Sequence, residues 1–554
     1  MPIRRFPLAS IPFLLVIAVA TGLRIASLPY GFPDVYYADE DTVIESALYT
    51  LTGDLDPHLT KYPHFLVNAL ALAFHVREGI GLRPDSARVA RAFVAYQETP
   101  HSTTLLARGF ALAASLVAVP LTFLIGRRLW GSAEGLIAAT LLVLSPLHID
   151  LSRLARVDGC AVTLVALATF FSVRYLDTGR AHDIVGAGLS AGAALGCKYY
   201  PGLVAIVGFL LIAIRGGPAR TQANLAVRLA IAGAAAFCLS SPALVTNIAR
   251  FAGEFREFST HLFRTPHLGT PGRASLAHEL LPLLRYTIGS AGCACLVVFA
   301  IHALASKAPR ARADAVVVLA YPALLALLFL RSETFVLRFF LTALPPLCLG
   351  AARGATLLCS APVRGERPSK RRVAFCLVVF ALGAAPFLRD SADTALRTVG
   401  RRDTRLLAHD WIEANVPADQ PLLLTHRRLA PYFPTRKIPF AHPANELWWR
   451  VSTFAPRYLE PLQSSFQRAS EAVARGDRKA RYVGDALGDG LRRADADPVV
   501  VVPFEANLPD IEERRAREVG ELAKTHRQAA WFPETWSDSF GPPIGIWVPR
   551  EPGP

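Results

Sequence analysis

Between residues 11 and 388 the apolar positions gather into blocks of about 15 to 25, separated by short polar stretches; that is the length a helix needs to cross a bilayer. Taken in order, the blocks predict about eleven spans, at 11–28, 105–125, 133–147, 159–175, 184–197, 202–214, 228–245, 280–303, 314–330, 336–352 and 373–388. Arg4 and Arg5 precede the first block, which sets the N-terminus on the cytoplasmic side, where loop arginines and lysines accumulate. Arg127-Arg128, Arg174 with Arg180, Arg215 with Arg220, Lys307 with Arg310 and Arg312, and the run RGERPSKRR then all fall on that same side. Two longer polar loops, 29–104 and 246–274, face outward. The first contains helical patterning at 42–51 and an amphipathic stretch at 65–76 suited to the interface. The opening MPIRRF, its apolar run and Ala18-Val19-Ala20 imitate a secretory signal, but the run continues through Leu28 and further spans follow, so an uncleaved first helix is expected.

After Arg389 the pattern changes to polar and mixed. Residues 403–415 read as a helix with Asp403 as cap and Pro417 as stop. Residues 421–425 and 499–504 read as buried strands, 511–524 as a charged helix and 544–548 as a closing strand. The fold class expected is therefore a polytopic α-helical membrane protein with a small C-terminal soluble α/β domain, divided into 1–388 and 389–554. The C-terminal part has no nucleotide-binding glycine motif, HExxH or GxSxG. Its aromatic residues Trp411, Tyr432, Trp448, Trp449, Trp531 and Trp536 fit a core better than a sugar platform.

Composition supports this picture. The chain of 554 residues is 52% hydrophobic and 19% charged, against about 25% charged in ordinary soluble domains. The net charge of +15 is accounted for by the basic loops on one face, and no nucleic-acid motif accompanies it. All eight cysteines lie in or beside apolar blocks, so they read as small core residues, and Cys293-x-Cys295 lacks a zinc spacing.

Candidate chemistry sits where charge breaks the topological bias. Arg153, Arg156, Lys198, Arg331 and Arg338 fall on the outer side against span ends, where positive charge calls for a reason such as an anionic ligand. Asp39-Glu40-Asp41 just beyond the first span reads either as a solvated loop start or as a proton acceptor for a hydroxyl or amine. Asp158 reads either as a carboxylate favoured by a helix start or as part of a site with the neighbouring arginines. Lys198, beside Tyr199 and Tyr200, reads either as a snorkelling anchor or as a contact for a lipid-linked phosphate, as does Arg338. His148-x-Asp150 and His58 with His64 have loose metal-ligand spacing. No cofactor is specified, and a divalent cation held against a phosphate stays an open alternative.

In the first loop, YADEDTVIESALYTLTGDLDPHLTKYP combines an acidic pair, a helix and an aromatic-Pro step. LLARGFALAASLVAVPLTFLIGRRLWG, LSRLARVDGCAVTL, LSAGAALGCKYYPGL and VLRFFLTALPPLCLGAARG follow in order. Together these segments resemble the GT-C superfamily of membrane glycosyltransferases, in the branch of protein O-mannosyltransferases and lipid A aminoarabinose transferases. The resemblance implies inverting transfer of a sugar from a polyprenyl-phosphate donor to a glycan, lipid or protein acceptor on the outer face of the cell membrane. It implies Asp39 as base or acceptor-positioning carboxylate, Glu40 as its neighbour and Asp158 as the second acidic residue. Lys198 and Arg338, with Arg153 and Lys61, are the candidates for the carrier phosphate. In the first loop the chain departs from relatives with a Lys-Pro-Pro step, having Lys61-Tyr62-Pro63. A transporter or flippase is the rival class, but its inverted repeats and mid-membrane charges are not seen in the sequence. An inactive scaffold of the same fold is a third reading, against which the retained Asp39-Glu40 and Asp158 argue.

Overall fold

The computed structural model describes residues 10–32, 39–59, 62–81, 85–264, 275–330, 332, 337–360, 370–396, 399, 402–417, 422–424, 446–458, 480–482, 499–503, 522–523, 526–532, 539–540 and 544–549. Lys61, Arg331, Tyr432, Trp536 and nearly all of the expected helix 511–524 lie outside the described residues. The chain divides into two compact units. One comprises Met1–Leu28, Leu55–Leu70 and Leu106–Ala395; the other comprises Pro29–Asp54, Ala71–Leu105 and Leu396–Pro554.

The first unit is helical, and a helix stands at each of the eleven positions that the apolar blocks marked. Among the described residues, six helices are long and apolar enough to cross a membrane: His101–Leu129, Val157–Thr178, Ala219–Ser240, Leu280–Ala305, Pro309–Phe329 and Arg338–Cys359. The pair Ser132–Leu144 and Pro146–Ser152, bent by 59°, makes a seventh if it is one span. Leu14–Ala26 and Tyr200–Arg215 are shorter apolar helices. The chain is a multi-pass membrane protein.

Small residues set how closely these helices pack. A Cβ added to Gly126 would lie 2.7 Å from the Cα of Gly135, and one on Gly192 would overlap the backbone of Gly233. Helices in lipid gain no hydrophobic drive from meeting each other, so close backbone approach and dispersion contact replace it. The most apolar window of Arg338–Cys359 is 72% buried and that of Ala219–Ser240 only 17%; the former is central, and the latter turns most of its surface outward. Cys238 is accordingly exposed, unlike the buried Cys160, Cys197, Cys295 and Cys348. This corrects the reading of every cysteine as a core residue, because an apolar position on a peripheral span can face lipid as well as protein.

The second unit combines the helices Glu40–Tyr49 and Ser86–Glu98 with strands and helices from after residue 396. Its five-stranded sheet runs Ala480–Tyr482, Leu422–Leu424, Val499–Pro503, Ile544–Pro549, His526–Phe532. The first three strands are parallel and the last two pair antiparallel. The strand Val499–Pro503 is a continuous apolar run, VVVVP. The helix Thr404–Asn415 buries Ala408 and Ile412.

Candidate active site

In the first unit, the helix Val157–Thr178 begins after an extended Arg156. Asp158 lies in its first turn, 2% exposed. The helix Ala181–Leu195 ends at Gly196, and a Pro201-containing 3-10 turn follows at Tyr200–Val204. Lys198 is thus placed between two rigid elements, and it is 4% exposed. Its ammonium Nζ donates to Asp158 Oδ1 at 2.6 Å. Three aromatic rings surround the same nitrogen, those of Tyr62, Tyr200 and Phe339, with centroids 5.6, 5.7 and 5.4 Å away. Ring faces attract a cation, the more so where water is excluded. Arg338 and Arg156 also act electrostatically on the Asp158 carboxylate. One buried carboxylate is therefore faced by three cations. Lys198 and Asp158 are both buried, whereas Arg156 and Arg338 are half-buried; the Lys198 ammonium is therefore held inside the unit and does not snorkel.

Arg153 is held differently. It is 2% exposed, and its guanidinium donates to Asp150 Oδ1 at 2.6 Å, one helical turn back. Beside it a second buried network joins Arg24, Ser152, His148 and Ser115. Arg24 donates to Ser152 Oγ at 3.0 Å and to the Val143 carbonyl at 2.7 Å, and it lies 3.2 Å from His148 Nδ1. His148 Nε2 is 3.2 Å from Ser115 Oγ. Both imidazole nitrogens of His148 thus meet protein groups, and the His148-x-Asp150 pair serves packing and arginine pairing.

In the same unit, Arg250 pairs with Asp56 and lies 3.4 Å from His58 Nδ1. His64 is fully buried, with Nε2 3.2 Å from the Leu59 carbonyl. Burial lowers its pKa to about 4, although the carbonyl and Asp56 pull the other way. Among the described residues, no three His, Cys, Asp or Glu side chains form a set able to hold a metal ion.

In the second unit, Asp39 precedes the helix Glu40–Tyr49 with φ 75° and ψ −12°, and its side chain makes no capping bond to that helix. A non-glycine residue in this left-handed region carries strain of roughly 1–2 kcal/mol, less for Asp than for most, and such residues gather at functional sites. Glu40 and Asp41 occupy the first turn, where the helix dipole favours negative charge. Glu40 is fully buried and Glu45 is 4% exposed. Tyr96 shares this environment through a hydrogen bond with Glu45; burial first, then the charges of Glu45, Asp41 and Glu40, raise its pKa well above the usual phenol value. Its hydroxyl therefore keeps its proton and serves as a donor.

The structure thus brings Asp158, Lys198 and Arg338 together, ties Arg153 to Asp150, and sets Asp39 and Glu40 at the head of one helix in the other unit. The sequence reading missed Tyr62 and Phe339 as partners of Lys198, and Arg24 as the partner of His148. The available signals were the aromatic residues flanking Lys61 and Arg338, and a lone arginine within an apolar helix.

Residues 101–245 match the family model described as dolichyl-phosphate-mannose-protein mannosyltransferase. No curated protein matches the chain. Among solved structures the chain is similar to ArnT from Cupriavidus metallidurans bound to undecaprenyl phosphate, at 13% identity over 97% of this chain and 98% of that one, with a TM-score of 0.48. It is similar to the oligosaccharyltransferase AglB from Archaeoglobus fulgidus, in complex with an inhibitory peptide and a dolichol-phosphate, at 12% identity over 76% and 63% of the two chains, TM-score 0.41. It is also similar to the arabinosyltransferase EmbB from Mycobacterium smegmatis, at 14% identity over 75% and 42%, TM-score 0.40. The resemblance drawn from the sequence is met over residues 101–245 by the family match, which includes Arg153, Asp158 and Lys198. The roles of individual side chains rest on the geometry of this chain.

Proposed function

We propose, with the match over residues 101–245 as premise, that the chain is a membrane glycosyltransferase that moves a sugar from a polyprenyl-phosphate carrier to an acceptor, with inversion. The observation that carries the proposal is the buried Asp158 carboxylate facing Lys198, Arg338 and Arg156. An array with more cationic than anionic groups around a buried ion pair suits a phosphate; an isolated ion pair would need no further cations.

In the reaction, an acceptor oxygen or nitrogen attacks the anomeric carbon while the bond from that carbon to the phosphate oxygen breaks. The bonding electrons leave with the carrier phosphate. Lys198 and Arg338 stabilise that leaving phosphate, where fixed donors act with greatest effect. Asp158 holds Lys198 in place through their 2.6 Å hydrogen bond. Asp39 accepts the proton lost by the attacking group, with Glu40 as its buried neighbour. Arg153, whose guanidinium is paired with Asp150, and Lys61 remain proposed phosphate contacts. The proposed setting is the inner or plasma membrane, with the N-terminus cytoplasmic and the C-terminal part extracytoplasmic.

The test supplies purified protein in lipid with labelled polyprenyl-phosphate sugars and an acceptor panel, and scores release of carrier phosphate. Wild type should release it, and Asp39→Asn should lose about 10²–10⁴-fold in rate, the usual contribution of a positioned base. Equal rates would remove Asp39 from the proton transfer. Absence of release across the panel, together with movement of intact carrier between leaflets, would replace the enzyme by a transporter.

A further inference from the structure

The helix Glu40–Tyr49 that carries Asp39 at its head leads, at its other end, into a cleft of the second unit. This cleft is lined by Tyr49, Thr52, Asp54, Phe454, Arg457 and Tyr458 among others, with a volume of about 660 Å³. That size lies within the roughly 300–1,000 Å³ of small-molecule sites.

The chain turns sharply to make the cleft. Gly53 has φ 87°, and Asp54 N–H donates to Thr52 Oγ1 at 3.3 Å. Tyr49 donates its hydroxyl to Asp54 Oδ2 at 3.0 Å. Opposite, the guanidinium of Arg457 donates to the Thr52 carbonyl at 3.3 Å and lies 4.9 Å from the centroid of the Tyr458 ring. Tyr458 is 1% exposed, and its hydroxyl has no hydrogen-bond partner among the described residues. A buried hydroxyl without a partner in a cleft wall is a polar group that a ligand can satisfy.

Aromatic rings, one carboxylate, one guanidinium and a threonine hydroxyl make a lining close to electroneutral. It complements neither an isolated anion nor an apolar tail. It suits a neutral, hydroxyl-rich ring: C–H faces stack on the exposed Phe454 ring, while hydroxyls take the planar donors of Arg457 and the acceptors of Asp54.

We infer that this cleft binds the saccharide portion of the acceptor, at a distance from the reacting hydroxyl. The inference rests on the proposed glycosyltransferase reading. The ten-residue helix separates the cleft from Asp39 by about 15 Å at 1.5 Å per residue. The cleft therefore holds a non-reacting part of the acceptor, whose binding energy positions the reacting end. An acceptor bearing two or more sugar units is implied.

The test uses the full chain in lipid nanodiscs and saturation-transfer NMR with maltose, cellobiose, mannobiose and maltotriose, beside a panel of short peptides. Wild type should bind at least one of these sugars, and Arg457→Ala and Asp54→Asn should each weaken that binding tenfold or more. Binding of the carrier phosphate by the same variants controls for their fold. Three results overturn the inference: no sugar binds to protein that still binds carrier phosphate, both variants bind sugar as wild type does, or a peptide occupies the cleft instead. Sugar binding that depends on Arg457 and Asp54, in a protein that releases no carrier phosphate and moves intact carrier between leaflets, would support the cleft while refuting the transferase reading.

Discussion

Lys198 and Asp158 are 3–5% exposed at their side chains and 2.6 Å apart. A charge in such a place is expensive alone, and removal of one partner leaves the other uncompensated, at a cost of about 3–5 kcal/mol. Asp158→Asn and Lys198→Met should each lose stability in that range, measured by denaturant unfolding in micelles. The double variant should be destabilised by less than the sum, with a coupling of about 1–3 kcal/mol. Strict additivity would restore the snorkelling lysine. At this scale the sequence was informative where positive charge ran against the expected topology, which marks Lys198, Arg153 and Arg338; Asp158 is marked instead by its place at a helix start beside Arg153 and Arg156. The partners were less visible. Arg153 with Asp150 is an i,i+3 pair within one turn, whereas Lys198 reaches across 40 positions to Asp158, a meeting that only two packed helices can arrange.

The bent element Ser132–Leu144 and Pro146–Ser152 shows how one arginine is used to repair a helix. Pro146 takes the first position of the second segment, where its missing N–H costs nothing. The 59° bend leaves carbonyls of the preceding turn without their usual helical donors, and Arg24 meets one of them at Val143 while also holding Ser152. Arg24→Met should therefore destabilise the protein by about 1–3 kcal/mol, the cost of a buried acceptor left unmet, as read by thermal unfolding in lipid. An unchanged transition would make Arg24 a passenger in the break. The apolar pattern placed this block at 133–147 and took 148–158 as a loop. Continued helix beyond the proline was hidden because HIDLS carries three polar residues, of which His148 and Ser152 are met by Arg24 and Ser115 and Asp150 by Arg153.

Across the whole molecule, acid should act through His64. Its folded-state pKa of about 4 lies below the usual 6.5. Between those two values the unfolded chain binds a proton that the folded chain does not, so stability falls as pH drops from about 6.5 to about 4 and the slope vanishes below that. His64→Gln should flatten this part of the profile in unfolding experiments run from pH 7.5 to 4. An unchanged slope would assign the acid sensitivity to other groups.

The amino-acid sequence by itself marked the apolar blocks at which helices stand, because a helix that crosses a bilayer needs about twenty apolar residues and satisfies its own backbone within the segment; among the described residues six of these helices, or seven with the bent pair, are long and apolar enough to span. It also determined which charges needed a reason, since loop arginines and lysines follow a one-sided bias. Tertiary structure alone decided which groups meet. It closed an aromatic shell on Lys198 from Tyr62, Tyr200 and Phe339. It also gathered Pro29–Asp54 and Ala71–Leu105 with the chain after residue 396 into one compact unit, in which Thr52 meets Arg457. Periodicity and local charge are properties of neighbours in the chain, whereas a site is made by residues whose proximity depends on how every intervening element packs.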